Sequence, residues 1–487
     1  MNVYSKESKF YIFNIVSSII FLLLFSPYTT PLNPYYGYDD NIFMIIGQGI
    51  NKGYVPYKDL FDHKGPILFF IYAIADMIWH GKMGLFILQI VNLFIINTCI
   101  FKMALLYKCS YKKIYIIIAI FMIYFIGTIG EGAMNEEFSL SFLMICFYLS
   151  LKYLYNYTNI VEYKIPLYIS FLFGISFAIV FLIRANNSAL ICGIILGYAI
   201  ILLQQKQYLY LLANIAIFLL GIGIVFLPVI LYFIKQHAFD DFIFYSFTYN
   251  YIYAVGGIQN TQDYIMKIVW VLPTVILFIA SVKFIKEEKL IIIPSLVISL
   301  FSVSLGNSYL HYYTLLLPLI VFFIIKLFIN LNYKYFIMLT CICYIPYIYT
   351  SAKNIGKILY FDILKDRDEY YAELDKVYKL IDKKDKDKTL PIELTYKDYS
   401  LYTKYNMTPC CRFFHFQNKF MKDIPSVKKE LLYNCKNAIP AYILIPNLNV
   451  IGSTEVRKAI DSNYRLIYKR ENCNSLTIEV YKNKYNI

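Results

Sequence analysis

Eleven apolar stretches of roughly 17 to 27 residues recur along this chain, at about 11–30, 83–107, 113–130, 138–155, 165–183, 188–204, 207–233, 265–282, 289–305, 312–329 and 334–350. A bilayer core offers no water to bond exposed N–H and C=O groups, so runs of this kind fold as helices. Of the 487 residues, 59% are hydrophobic and only 16% charged, and the chain reads as a polytopic α-helical membrane protein. The first run follows MNVYSKESKF and carries no small-x-small cleavage site, so it reads as a retained helix and not as a signal peptide.

The net charge of +14 raises the question of a nucleic-acid partner. Its lysines, however, fall in short gaps between apolar runs and in a polar tail, which fits membrane topology and anionic headgroups and argues for no nucleic acid. The short run ILFFIYAIADMIW, residues 67–79, decides the topology. Counted as a span, it would send KCSYKK outside. Laid along the outer interface, it leaves Lys6, Lys9, KCSYKK, QQKQ, KFIKEEK and KLFINLNYK all inside, as the positive-inside rule prefers. The expectation is therefore a plasma-membrane protein with about eleven spans and a cytoplasmic amino terminus. Residues 31–82, 131–137, 184–187, 234–264, 306–311 and the chain after 351 then lie outside.

Composition changes near residue 350, so the chain divides into a transmembrane domain, 1–350, and a C-terminal extracytoplasmic α/β domain, 351–487. Apolar residues at helical spacing lie between 370 and 381, and AIPAYILIPN, YRLIYKR and NSLTIEVY read as short strands. Of the ten cysteines, Cys410, Cys411, Cys435 and Cys473 are in this tail, where an oxidising compartment would allow pairing. No CxxC and no histidine cluster marks a structural metal site.

Polar groups concentrate in the first outer loop. Asp39 and Asp40 open DDNIFMIIGQG, whose apolar positions suit a short helix on the membrane surface with one aspartate as its N-cap. Downstream, Asp62, His63 and Lys64 precede Gly65 and Pro66, where a second interfacial helix starts. Lys64 there suits either a headgroup anchor or a phosphate site, a point cation supplemented by free helix N–H groups. In GTIGEGAMNEEFSLSF, Glu131, Glu136 and Glu137 stand at a hydrocarbon boundary, where a carboxylate must be paired, hydrated or metal-bound. Helix capping, a pair with Lys64, and a Mg²⁺ or Mn²⁺ ion held by Asp39 and Glu136 all answer that need. Arg184, with Asn186 and Asn187 at a helix break, suits an anionic headgroup or helix-end carbonyls equally, and His311 among tyrosines suits an aromatic belt or a site. His63, Tyr249, Asn250 and Tyr253 are candidates for the wall of an acceptor or lipid groove.

These residues carry a resemblance. YDDNIFMIIGQGINKGYVPYKDLFDHKGP resembles the first outer loop of GT-C glycosyltransferases of the protein O-mannosyltransferase and lipid A aminoarabinose transferase type. MNEEFSLSFLMICFYLSLKY is similar to their acidic second-loop motif and YLHYYTLLLPL to their His-Tyr segment, so the likeness covers about residues 11–330. It implies a GT-C-like transmembrane domain that takes a sugar from a polyprenyl-phosphate donor and passes it, with inversion, to a surface polysaccharide, glycolipid or protein. Residue by residue it implies Asp39 as base with Asp40 its neighbour, Lys64 on the donor phosphate, and Glu136, followed by Glu137, as the second-loop acid. Arg184 and His311 join the phosphate site less directly. The DHKGP form resembles bacterial members that build the cell envelope.

The chemistry is consistent with this set. A base must deprotonate the acceptor hydroxyl, while the leaving phosphate is already anionic and needs only cations. A transporter or flippase of a lipid-linked anion is the alternative, but it calls for inverted repeats and midplane polar sites, and here the polar groups favour one side. A noncatalytic scaffold that presents the tail is a third reading.

Overall fold

The computed structural model describes residues 3–33, 36–130, 132–155, 164–256, 261–305, 307–359, 367–394, 398–469 and 478–485. Fifteen α-helices among the described residues lead up to the C-terminal region: α1 Val3–Phe25, α2 Tyr38–Asn51, α3 Pro66–Ile78, α4 Lys82–Leu106, α5 Tyr111–Thr128, α6 Asn135–Tyr155, α7 Leu167–Ile183, α8 Ala189–Gln204, α9 Tyr208–Lys235, α10 Phe239–Ile243, α11 Tyr249–Gly256, α12 Thr261–Ser281, α13 Lys289–Ser304, α14 Leu317–Asn330 and α15 Tyr333–Leu359. Among the described residues, eight helical segments are long and apolar enough to cross a membrane, and the other three expected spans are shorter apolar helices at Leu167–Ile183, Lys289–Ser304 and Tyr333–Ile348. The chain is a multi-pass membrane protein.

Helix α14 is the pillar of the bundle: every residue from Leu319 to Ile325 is at most 1% exposed. Between helices already in hydrocarbon, close packing and buried hydrogen bonds replace the hydrophobic effect. Gly193 and Gly197, four apart on α8, let its backbone press on Ser295 and on the Leu290 carbonyl of α13. Asn97 Nδ2 donates to Asn14 Oδ1 at 3.0 Å, and Asn14 Nδ2 to the Phe94 carbonyl at 3.0 Å, which ties α1 to α4.

The C-terminal region contains a four-stranded sheet of order β1-β2-β4-β3, formed by Thr389–Pro391, Tyr442–Ile445, Glu479–Asn483 and Tyr464–Lys469 respectively. Strand β1 runs parallel to β2, with Leu390 opposite Ile443, and the other pairs are antiparallel. The three expected strands are present, while β1, only three residues long, has too little alternation to be read from sequence. The expected helix in the tail spans Arg367–Leu380. Cys410, Cys411 and Cys435 are free thiols, and Cys473 lies outside the described residues.

This cap and the first loop share one apolar core, in which Ile45, Tyr57 and Phe61 pack with Tyr399, Phe414 and Phe420. Helix α2 is enclosed rather than floating on lipid, with Asp40 to Gly49 all buried. Gln48 Nε2 donates to the Thr403 carbonyl of the cap at 3.1 Å, and Thr403 Oγ1 donates to Asn41 Oδ1 at 3.0 Å. The N-cap of α2 is Gly37, with no side-chain cap bond. The expected aspartate cap is thereby corrected: Asp39 and Asp40 both sit inside the first turn, where the helix dipole favours a carboxylate without a capping bond. Helix α3 starts at Pro66 after Gly65, and Ile74, Met77, Ile78 and Trp79 on it and at its end are 48–75% exposed, an apolar edge suited to lipid.

Candidate active site

Four bonds fix the backbone around Lys64. Asp62 Oδ1 accepts from the Lys64 N–H at 2.9 Å, Tyr57 Oη donates to the Lys64 carbonyl at 2.7 Å, and Asn250 Nδ2 donates to the His63 carbonyl at 2.6 Å. The Gly65 N–H donates to the Ile183 carbonyl at 3.0 Å, and a Cβ on Gly65 would overlap the Leu182 carbonyl. Glycine thus lets the loop seat directly on the C-terminal end of α7, beside Arg184. Tyr57 holds a left-handed φ of 69° with its side chain buried, a conformation that persists only where its surroundings over-determine it.

The charges in this loop are strongly coupled. Burial alone would raise the Asp62 carboxyl, but Lys64, His63 and His415 outweigh it and hold the group at about 2. Burial, then the Lys64 ammonium, push His63 well below 6.5, so it is neutral at pH 7 and its Nε2 accepts from Lys64 Nζ at 3.2 Å. Burial opposes the charge on Lys64, yet Asp62 and Asp39 leave it raised above 10.5. Lys64 is therefore a held, permanent cation.

Arg184 closes the other side. Its Nη1 donates to Glu136 Oε1 at 2.7 Å, and its guanidinium stands 4.1 Å over the Tyr312 ring. Glu136 is fully buried, and its Oε2 has no hydrogen-bond partner among the described residues. Between the two cations lies a cavity of about 270 Å³, lined by His63, Lys64, Arg184 and Asn250 and by the apolar side chains of Phe181, Leu182, Phe247 and Leu305. That combination, two cations and a few polar side chains in a mostly apolar pocket, suits an anion carried on an apolar chain.

Successive residues on a helix point about 100° apart, and the acidic pair divides accordingly. Asp39, half-buried, is within electrostatic reach of Lys64, His311 and His415. Asp40, fully buried, is within reach of Lys82 and Tyr36, and the Tyr72 hydroxyl is 3.5 Å from its Oδ1. On that second side a cavity of about 280 Å³ opens between the bundle and the cap, lined among others by Tyr36, Lys82, Tyr371, Ser400, Thr403 and Lys404.

Two solved structures share this architecture along nearly their whole length. ArnT from Cupriavidus metallidurans in the apo state superposes with a TM-score of 0.60 at 8% identity, covering 99% of this chain and 98% of that one. The same protein bound to undecaprenyl phosphate gives 0.58 at 9% identity, covering 98% and 99%. The chain has the GT-C fold. A third, weaker likeness is to the Archaeoglobus fulgidus oligosaccharyltransferase in complex with zinc and sulfate, at a TM-score of 0.47 and 10% identity over 96% of this chain and 73% of that one. By sequence, no family model and no curated protein matches.

Within this GT-C fold the candidate residues are brought together unequally. Asp39, Lys64, Arg184, Glu136 and His311 converge, with His311 stacked on Tyr309 at 5.6 Å and within electrostatic reach of Arg184 and Glu136. Glu136 pairs with Arg184, not with Lys64. Glu137 turns away: Gln89 Nε2 donates to both its oxygens at 3.0 and 3.1 Å, and the Ala133 N–H donates to Oε2 at 2.7 Å. Asn250 and His63 line the cavity, whereas Tyr249 is fully buried and donates to Asp423 Oδ2 of the cap at 3.0 Å. Glu131 and the Tyr253 side chain lie outside the described residues. A Mg²⁺ or Mn²⁺ ion on Asp39 and Glu136 does not fit well, because Arg184 already neutralises Glu136, and among the described residues no three His, Cys, Asp or Glu side chains gather as metal ligands.

Proposed function

We propose that this protein transfers a sugar from a polyprenyl-phosphate donor to a glycan, glycolipid or protein acceptor at the extracytoplasmic face of the membrane, with inversion. The reading rests above all on the cavity that joins Lys64 and Arg184 to an apolar wall beside Asp39. It draws further support from the same fold in ArnT, which has been seen bound to undecaprenyl phosphate.

The donor phosphate lies between Lys64 and Arg184, and the first isoprene units lie along Phe181, Leu182 and Phe247. Asp39 takes the proton from the acceptor hydroxyl as its oxygen attacks the anomeric carbon from the face opposite the phosphate. The bond from that carbon to the phosphate oxygen breaks, its electron pair stays on the phosphate, and the two cations stabilise the charge. Polyprenyl phosphate and the glycosylated acceptor leave. Asp39 suits the base better than Asp40 because it is the less buried of the two and stands on the side of Lys64. Residues 1–350 form the transmembrane catalytic domain, and residues 351–487 form the extracytoplasmic cap. The polar cavity on the Asp40 side suits the entry of a hydrophilic acceptor group.

The test is Asp39→Asn in purified, reconstituted protein supplied with a polyprenyl-phosphate sugar. Removal of a general base should slow transfer by about 10²–10⁴-fold with thermal unfolding unchanged. Full turnover in a folded variant would sink the assignment.

A further inference from the structure

The cap reaches the turn that carries Lys64 through two residues, Arg412 and His415. The Arg412 carbonyl accepts from the Phe61 N–H at 3.0 Å, and three residues later His415 Nε2 lies 2.8 Å from the Phe61 carbonyl and 3.6 Å from Asp62 Oδ2. The carbonyl has no proton to give, so Nε2 is the donor, and in the neutral ring that leaves the lone pair on Nδ1. Phe416, the next residue, takes a left-handed φ of 48° and stacks on Tyr38 at 4.4 Å, one residue before Asp39. The imidazole is fully buried and edged by Phe414, Phe416 and Phe420, with centroids at 4.9, 5.6 and 5.5 Å. A polar ring placed so deep in an aromatic cage is costly unless its hydrogen bond specifies a geometry.

What it specifies is the turn that carries Lys64. Asp62, which His415 faces through Oδ2, uses Oδ1 to hold the Lys64 N–H. We propose that His415 is a positioning residue for sugar transfer: the cap fixes the Phe61–Asp62 peptide through its imidazole, and thereby the place of the Lys64 ammonium. This rests on the donor-phosphate reading above and gives the cap a part in it. A cap docked elsewhere would leave Lys64 on a loop held only from the bundle side.

The experiment uses full-length protein and undecaprenyl phosphate as probe. His415→Phe keeps the ring and loses the donor, and His415→Gln returns an N–H near the Nε2 position. We expect His415→Phe to weaken undecaprenyl phosphate binding about tenfold, about 1.4 kcal/mol, and His415→Gln to restore most of it. In a Lys64→Ala background, His415→Phe should change affinity less than about twofold, since residues acting through one group do not add. An equal loss with and without Lys64, or no rescue by glutamine, would overturn the proposal. If Lys64→Ala alone leaves affinity unchanged, the phosphate reading fails separately. Amide exchange at Phe61 to Gly65 then still decides: faster exchange in His415→Phe supports the positioning role, and unchanged exchange refutes it.

Discussion

Two buried ion pairs stand at opposite ends of this bundle and differ in what they leave undone. Helix α6 separates them: Glu136 is in its first turn, and its last residue, Tyr155, packs on Tyr107 at 5.6 Å, a helix length of about 30 Å away. At the far end Lys326 Nζ meets Glu288 Oε1 at 2.6 Å, Tyr107 Oη donates to the same oxygen at 3.1 Å, and the Lys286 N–H donates to Oε2 at 3.0 Å. The ammonium also stands 4.3 Å over the Tyr107 ring. At the near end, Arg184 and Glu136 are as close, but Glu136 Oε2 lacks a hydrogen bond among the described residues and Arg184 faces a cavity shared with Lys64. A satisfied pair serves as a lock. An incomplete pair whose arginine lines an open volume beside a second cation leaves that arginine free to meet an anion there, as the proposed function requires.

The contrast breaks most sharply if each pair is replaced by apolar side chains of similar size. Buried pairs treated this way often keep or gain stability. Glu136→Leu with Arg184→Met should therefore leave a folded protein whose sugar transfer falls by about 10³-fold, the scale expected when a charge-stabilising group is lost. Glu288→Leu with Lys326→Met should leave transfer within about twofold of wild type, since that pair only packs. Transfer assays on the two double variants, with unfolding followed in parallel, check both halves. Comparable losses of transfer in both would erase the functional distinction between the ends.

Half of this distinction is legible in the sequence. A charge standing between apolar runs is conspicuous, so Arg184 and Glu136 attract notice, as do Asp39 and Lys64 in a polar loop. Their pairing is not legible: Glu136 and Arg184 are 48 residues apart, and nothing local says that the arginine rather than Lys64 takes the glutamate. His415 is harder still, because its partner carbonyl is 354 residues away and FFHFQ reads as an ordinary aromatic patch. Tyr57 gave no signal, since a left-handed tyrosine cannot be read from residue type. The spans, by contrast, were legible because hydrocarbon imposes one rule on every run, whereas β1 depends on a neighbour supplied by residues 442–444.

Breaking only one partner sharpens the comparison from the stability side. Lys326→Met strands a buried carboxylate, and the expected loss is about 3–5 kcal/mol of unfolding free energy with transfer rate per folded molecule unchanged. Urea or thermal unfolding in detergent measures the first and active-site-normalised turnover the second. An intact stability would mean that water reaches Glu288 and that the far-end pair is not a lock.

The smallest expected effect is a difference in pH response between the ends. The near end holds His63 and His415, both pushed below 6.5, chiefly by burial; Lys64 disfavours the proton on each, and Asp62 favours it. A group whose folded pKa is depressed contributes stability that is full above its unfolded value and is lost as pH falls toward the folded value. For these histidines the loss starts near 6.5, with a limit of about 1.4 kcal/mol per pH unit for each. Asp62, held at about 2 against 3.8, adds its own loss only in far more acidic solution. His80 works the other way, since its bond to Asp76 at 2.7 Å raises it, but that histidine is 48% exposed and the pair is screened. Unfolding measured from pH 8 to 5 should thus show a falling stability that flattens in His63→Gln with His415→Gln. The same slope should persist in Lys326→Met, whose surroundings hold no histidine among the groups bonded to the pair. A slope unchanged by removing both histidines would move the titrating group away from the loop that carries Lys64.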